Sequence, residues 1–143
     1  IGAGLDLACM CDIRIMVENT FLSENFINLG IIPGDGGAFL LQNIIGYQKA
    51  AELSFTGRKI LADEALKIGL VLKVTSEENL MKEVHLLAKI IASKPINALK
   101  YTKRLLKMAN KIPLEEFLDF SALFQGISHN SKDHKNRLKK FKK

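Results

Sequence analysis

The sequence predicts an α/β chain whose first half mixes short strands with helices and whose end is wholly helical. Three observations predict it. Ile13-Arg14-Ile15-Met16-Val17 alternates in a β-branched manner, and Leu70-Val71-Leu72-Lys73-Val74 reads as another strand. Helical segments between them stop at Gly46, Gly57 and Gly69, and Pro95 and Pro113 each suit the first turn of a long amphipathic segment.

Taken in order, residues 4–11 are apolar on nearly all sides apart from Asp6, which predicts a short buried helix entered from the Gly2-x-Gly4 turn. The strand at 13–17 follows, with a second, short one at Phe21-Leu22-Ser23. Gly30-Ile31-Ile32-Pro33-Gly34-Asp35-Gly36-Gly37 holds four glycines and a proline, a loop whose backbone needs conformations that side chains forbid. Helices are expected over about 36–45, 47–55 and 62–68, then the strand at 70–74. Ser76, Asn79 and the first-turn acids Glu77 and Glu78 open a further helix, with Leu80, Val84, Leu87, Ala88 and Ile91 as a single buried face. Helices over about 95–110 and 113–128 complete the chain. The second carries Leu114, Phe117, Leu118, Phe120, Leu123, Phe124 and Ile127 on more than one side, the pattern of a helix sandwiched between neighbours or against another subunit.

The chain has 143 residues, 48% apolar and 25% charged, which excludes disorder, collagen and coiled coil. At this length a compact fold hides roughly 68–70% of the surface of the unfolded chain, so neither disulfides nor a structural metal is needed. Of the 21 Lys and Arg residues, seven lie in 132–143 beside a single acid, so the net charge of +6 belongs to the tail and the rest of the chain is neutral. Cys9 and Cys11 are too close for a strain-free disulfide and are expected to be buried, reduced thiols. No run of 18 apolar residues exists, and the start at Ile1 carries no charged leader of the signal-peptide type. It reads as a chain that begins mid-domain.

Motifs narrow the chemistry. Leu7 stands where a dinucleotide fingerprint beginning at Gly2 needs its third glycine, and neither a P-loop nor a G-x-S-x-G elbow is present. His85, His129 and His134 have no evident Ser or Cys partner and read as surface or interface residues; the five-residue spacing of His129 and His134 does not put them on one helix face for a metal. Two glycine turns remain. The first leaves backbone N–H groups at the positive end of a buried helix, which suits an oxyanion, although tight packing of turn on turn explains both turns equally well. Asp6 favours chemistry: a carboxylate one turn into an apolar helix is paired, protonated or catalytic.

The segments Gly2-Ala3-Gly4-Leu5-Asp6-Leu7-Ala8-Cys9-Met10-Cys11-Asp12-Ile13-Arg14, Asn28 to Gly37, Glu52 to Arg58, Ala62 to Val71 and Lys94-Pro95 together resemble the enoyl-CoA hydratase/isomerase (crotonase) superfamily. The resemblance covers the whole chain. It implies a crotonase-like ββα spiral core, here its C-terminal part over 1–74, followed by an all-helical trimerisation region over 75–143. It also implies about a hundred further residues before Ile1, with several strands and one oxyanion donor. The implied activity is that of an acyl-CoA-processing enzyme of fatty acid metabolism, in the cytoplasm or an organelle matrix. It has no separate cofactor, because coenzyme A is part of the substrate.

Residue by residue, the resemblance gives the Ala3 backbone N–H as an oxyanion-hole donor and Asp6 as the first of the two acids of a hydratase. Phe26 stands at the second, so the usual glutamate pair is not intact. Asp is shorter than Glu by about 1.5 Å of chain, a misplacement on a scale that costs on the order of 10²-fold. The dienoyl-CoA isomerase branch has an Asp at the Asp6 position, but pairs it with a Glu where Phe26 stands and an Asp where Gly34 stands. Asp35, one residue on, is taken as the second catalytic candidate, with Glu24 as a weaker one that points away. Gly2, Gly4, Asn25, Phe26, Leu29, Pro33 and Gly34 are the implied substrate-binding positions. No metal is expected.

The expected partners are an acyl-CoA thioester and further copies of the chain, as a homotrimer or hexamer; no membrane and no nucleic-acid partner is expected. The tail carries one aromatic, Phe141, and no arrangement for base stacking. His134, Leu138 and Phe141 fall at helical spacing, so the tail reads as an amphipathic helix with a docked apolar edge, its cations near the phosphates of coenzyme A. A non-catalytic acyl-CoA binder or degenerate homologue is the alternative.

Overall fold

A computed structural model describes residues 1–141, and its internal contacts divide the chain into two units, Ile1–His85 and Leu86–Lys143. The first unit opens with helix α1 (Ala3–Met10), which buries Leu5, Asp6 and Cys9 on one face. Strand β1 (Ile15–Val17) follows, then β2 (Phe21–Leu22) and a 3-10 helix over Asn25–Leu29. Helices α2 (Gly37–Ile45) and α3 (Tyr47–Thr56) are separated by Gly46. Strand β3 (Ile60–Leu61), helix α4 (Ala62–Lys67) and strand β4 (Lys73–Thr75) follow, and helix α5 (Glu77–Ala92) crosses the boundary at His85. β1 pairs in parallel with β4, with Met16 opposite Val74, and β2 pairs antiparallel with β3, with Leu22 opposite Ile60. Leu5, Met16, Leu41, Leu53, Ile60 and Leu70, contributed by helices and strands alike, form one buried cluster.

Three expectations are corrected here. The strand predicted at 70–74 begins only at Lys73, because the Leu70 and Val71 amides both turn back to donate to the Ala65 carbonyl at the end of α4. Cys9 is buried, but Cys11 is exposed just past the end of α1, where its thiol donates to the Leu7 carbonyl; both are free. The α5 stripe is not a buried face: Leu80, Val84 and Leu87 are half-buried, and Ala88 and Ile91 are exposed. Neither β3 nor the 3-10 helix is marked in the sequence, both being too short to show a period.

The polar anchor of this unit is Arg58, just past the left-handed residue Gly57 (φ 58°) that ends α3. Its guanidinium donates to both carboxylate oxygens of Glu52 (2.6 and 2.9 Å) and both of Glu64 (2.7 and 2.6 Å), tying α3 to α4. Hydrogen bonds from Arg58 hold both carboxyls below the usual carboxylate range.

In the second unit, α6 (Ile96–Met108) and α7 (Leu114–His129) pack through Tyr101 and Phe124, whose rings stack at 5.0 Å, with Arg104 on Phe124. Phe124 is buried, whereas Leu114, Leu118, Leu123 and Ile127 are exposed on other sides of α7. Helix α8 (Lys132–Phe141) is entered through Ser131, whose hydroxyl accepts the His134 amide, and Arg137 donates to the Ser93 carbonyl at 2.8 Å. His129 and His134 stack at 5.0 Å, because the turn between α7 and α8 brings together rings that one continuous helix would separate. Of the predicted docked edge, His134 is half-buried and Leu138 exposed; the Phe141 side chain and residues 142–143 lie outside the described residues. Among the described residues no helix is long and apolar enough to cross a membrane.

Arg58→Met is expected to lower stability by about 1 kcal/mol, since partly exposed pairs contribute about 0.2–1 kcal/mol each. The contribution of Glu52 and Glu64 is present at neutral pH and lost as pH falls through their lowered values. Urea denaturation at low and high salt, and at neutral and acid pH, checks this: the difference between wild type and variant shrinks with added salt and with acid.

Candidate functional site

The site is assembled around the turn that enters α1. Gly2 has φ 54°, a left-handed conformation that favours glycine, and a Cβ there would also come within 3.2 Å of the Asn25 amide oxygen and 3.6 Å of the Phe26 ring. The Gly2 amide donates to the Ser23 carbonyl at 2.9 Å. The Gly4 amide donates to Ile1, and the Leu5 and Asp6 amides both donate to the Gly2 carbonyl. Among the described residues this leaves one amide of the turn, that of Ala3, without an acceptor, at an exposed position on the positive end of the helix.

The turn is fastened from below. The Gly57 carbonyl accepts both the Ser23 hydroxyl (2.9 Å) and the Asn28 amide (3.1 Å), and the approach is so close that a Cβ on Gly57 would meet the Asn28 amide nitrogen at 2.6 Å. Ser23 therefore bonds to Gly57 through its side chain and to Gly2 through its backbone, which joins the end of α3 to the start of α1.

One turn into α1, the Asp6 carboxyl is 0% exposed and lies against the backbone of Gly37, where any Cβ would overlap it. Beside it is Glu24, 2% exposed and just before the 3-10 helix. No donor from the rest of the described residues reaches any of the four carboxyl oxygens. Burial first, then a hydrogen bond to Asp6 and the charge of Asp6, push the Glu24 carboxyl up to about 8. Burial likewise pushes the Cys9 thiol up to about 11; Arg14 opposes the shift, and Glu24 and Asp6 add to it.

Of the residues singled out in the sequence, Asn25 and Phe26 stand half-buried beside Gly2, while Pro33 is half-buried and Leu29, Gly34 and Asp35 are exposed. The structure brings Asp6 together with Glu24, which turns inward rather than away, and leaves Asp35 exposed in the loop before α2. An apolar cavity of about 390 Å³ lies beside α1, lined by Leu5, Ala8, Met16, Leu22 and Val71 among others; neither carboxyl lines it. Among the described residues no three His, Cys, Asp or Glu side chains cluster as a metal site.

The chain belongs to the enoyl-CoA hydratase/isomerase family, whose model matches residues 1–143. It is 38% identical over 139 residues to a short-chain-enoyl-CoA hydratase of Clostridioides difficile, covering 97% of this chain and 90% of that one. It spans about half the length of other curated relatives that it matches. Among solved structures, the enoyl-CoA hydratase of Bacillus anthracis superposes with a TM-score of 0.94 at 33% identity, over 99% of this chain and 55% of that one. A Thermobifida fusca YX protein solved in complex with acetoacetyl-CoA superposes with a TM-score of 0.86 at 31% identity, over 89% of this chain and 50% of that one. The fold is that of a C-terminal crotonase-fold segment with a helical region.

Gly37→Ala is expected to push Asp6 out of place, with a cost of about 1–3 kcal/mol for overpacking. Equilibrium unfolding checks it, with Gly34→Ala as the control, since nothing lies within 4 Å of a Cβ at that position.

Proposed function

We propose that the protein processes acyl-CoA thioesters by the enolate chemistry of its family. The observation that carries this reading is the unpaired Ala3 amide one helical turn from the buried Asp6 carboxyl. In this reading the thioester carbonyl oxygen accepts the Ala3 N–H, and Asp6 takes a proton from the acyl chain. The electron pair of the broken C–H bond moves to the carbonyl oxygen, whose developing charge the amide and the helix dipole stabilise. Asp35 is the proposed second acid–base group, reaching in from its loop. Gly2, Gly4, Asn25, Phe26, Leu29, Pro33 and Gly34 are proposed to line the substrate. Coenzyme A arrives as part of the substrate, its phosphates near tail cations contributed by a neighbouring subunit. The exposed apolar residues of α7 support a homotrimer or hexamer as the working assembly.

The second reading is an acyl-CoA binder without turnover, favoured by an aromatic residue, Phe26, at a position where a hydratase carries its second acid.

Turnover of enoyl-, dienoyl- and malonyl-type CoA thioesters by the whole protein separates the readings. Asp6→Asn is expected to lower kcat by on the order of 10²–10⁴-fold, as loss of an acid–base group does, with thioester binding retained in calorimetry. Binding by the wild type with no turnover on any substrate establishes the second reading, and turnover unchanged in both Asp6→Asn and Asp35→Asn rejects the mechanism.

A further inference from the structure

We infer that Glu24 is the positioning residue for Asp6: the two carboxyls hold one proton between them, and Glu24, as the neutral partner, donates it to Asp6. This deepens the acyl-CoA reading in naming what keeps the base in place, and its first test does not depend on that reading.

The argument starts from what surrounds the pair. Both side chains are at least 98% buried, and their four oxygens receive no N–H or O–H from the rest of the described residues. Two ionised carboxylates in that setting would repel each other with no donor to stabilise either, a situation that buried acids avoid by retaining a proton. One proton resolves it, because a neutral carboxylic acid is a donor and the neighbouring carboxylate an acceptor. The backbone limits the alternatives. Gly37 closes off one side of Asp6, and the Gly2 turn is held to Ser23, the residue next to Glu24. Asp6 thus has wall on one side and Glu24 as its facing polar group. Burial and Asp6 together raise Glu24 to about 8, so the pair keeps its proton at neutral pH.

The reaction proposed above then balances without consuming that proton. The C–H bond of the substrate breaks, the proton goes to Asp6 and the electron pair to the thioester oxygen. Glu24 keeps its own hydrogen throughout and fixes which way the Asp6 carboxyl faces.

The consequence is a pH dependence of defined sign. The groups facing Glu24 are Asp6 and Cys9 on α1, with Arg14 and Cys11 acting on Cys9. Because the folded state binds this proton more tightly than the unfolded chain, the stabilisation is complete below the ordinary carboxylate range and is lost as pH rises toward about 8.

The test is thermal unfolding of the whole protein across this pH range, with difference infrared spectra of its carboxyl groups. Wild type is expected to lose stability steadily from pH 5 to pH 8.5 and to show the C=O stretch of a protonated buried carboxyl. Glu24→Gln is expected to flatten the slope and remove the band. A slope and band unchanged in Glu24→Gln overturn the inference, whether or not the protein turns over any thioester. Where turnover is measured, Glu24→Gln lowers kcat by about 10²-fold, the cost of a misplaced base, with KM little changed and the alkaline limb of the profile removed. A variant with wild-type kcat and profile rejects the positioning role. If Glu24→Gln does not fold, Asp6→Asn reports on the same proton: it removes the Asp6 bond and charge, so the fall in stability moves to lower pH, and an unmoved fall overturns the inference.

Discussion

The approach of the Asp6 carboxyl to the bare backbone of Gly37 is the constraint around which the first unit is arranged. It sets how closely the α1 face carrying Leu5, Asp6 and Cys9 meets the start of α2, where Leu41 enters the same core. A side chain of any size at 37 would part the two helices. The same economy holds at the turn before α1, where Gly2 admits Asn25 and Phe26, and at the end of α3, where Gly57 admits Asn28. Three close backbone approaches hold the turn, so the Ala3 amide is positioned by main chain rather than by flexible side chains.

This unit solves the problem of acidic side chains in two opposite ways. Glu52 and Glu64 lie near the surface and share the fork of Arg58, which supplies a donor to each of their oxygens and keeps both ionised. Asp6 and Glu24 lie in the core with no cation bonded to them, so they are left to each other. The first arrangement ties two helices together and changes little with small shifts in pH around neutrality. The second keeps a proton whose hold weakens close to neutrality. A fold needing only stability has no reason for the second, since apolar residues of similar volume fill such a space at lower cost.

The helices were legible because glycines and prolines punctuate them: Gly46, Gly57 and Gly69 fall at the ends of periodic segments, and Pro95 and Pro113 at the starts of others. Strand limits were less so. Leu70 to Leu72 have strand-like side chains, but their amides are engaged by the end of α4 and by Arg14, a tertiary choice that composition does not record. The site was legible in part. The turn at Gly2 and the burial of Asp6 followed from a lone acid in an apolar helix. Glu24 did not, because it lies 18 residues further on in a polar stretch, and its burial is created by the fold. The apolar faces of α5 and α7 show the converse, with periodicity marking a surface that is to be covered and saying nothing about what covers it.

Phe26 and Glu24 are best understood together. The 3-10 helix begins at Asn25, so Glu24 sits just outside it with a backbone (φ −86°, ψ 65°) that belongs to neither strand nor helix. That break lets residue 24 turn into the core while Phe26 faces the Gly2 turn. Residue 26 thus sets a ring against the Gly2 turn, and an acid two residues earlier is buried beside Asp6. An aromatic ring beside the Gly2 turn puts apolar surface in place of water, which raises the cost of any unshared charge nearby. The ring at 26 and the buried carboxyl at 24 are then two sides of one arrangement. An Asp6 so enclosed keeps its place with a neutral neighbour bonded to it, since a buried charge without a donor is costly.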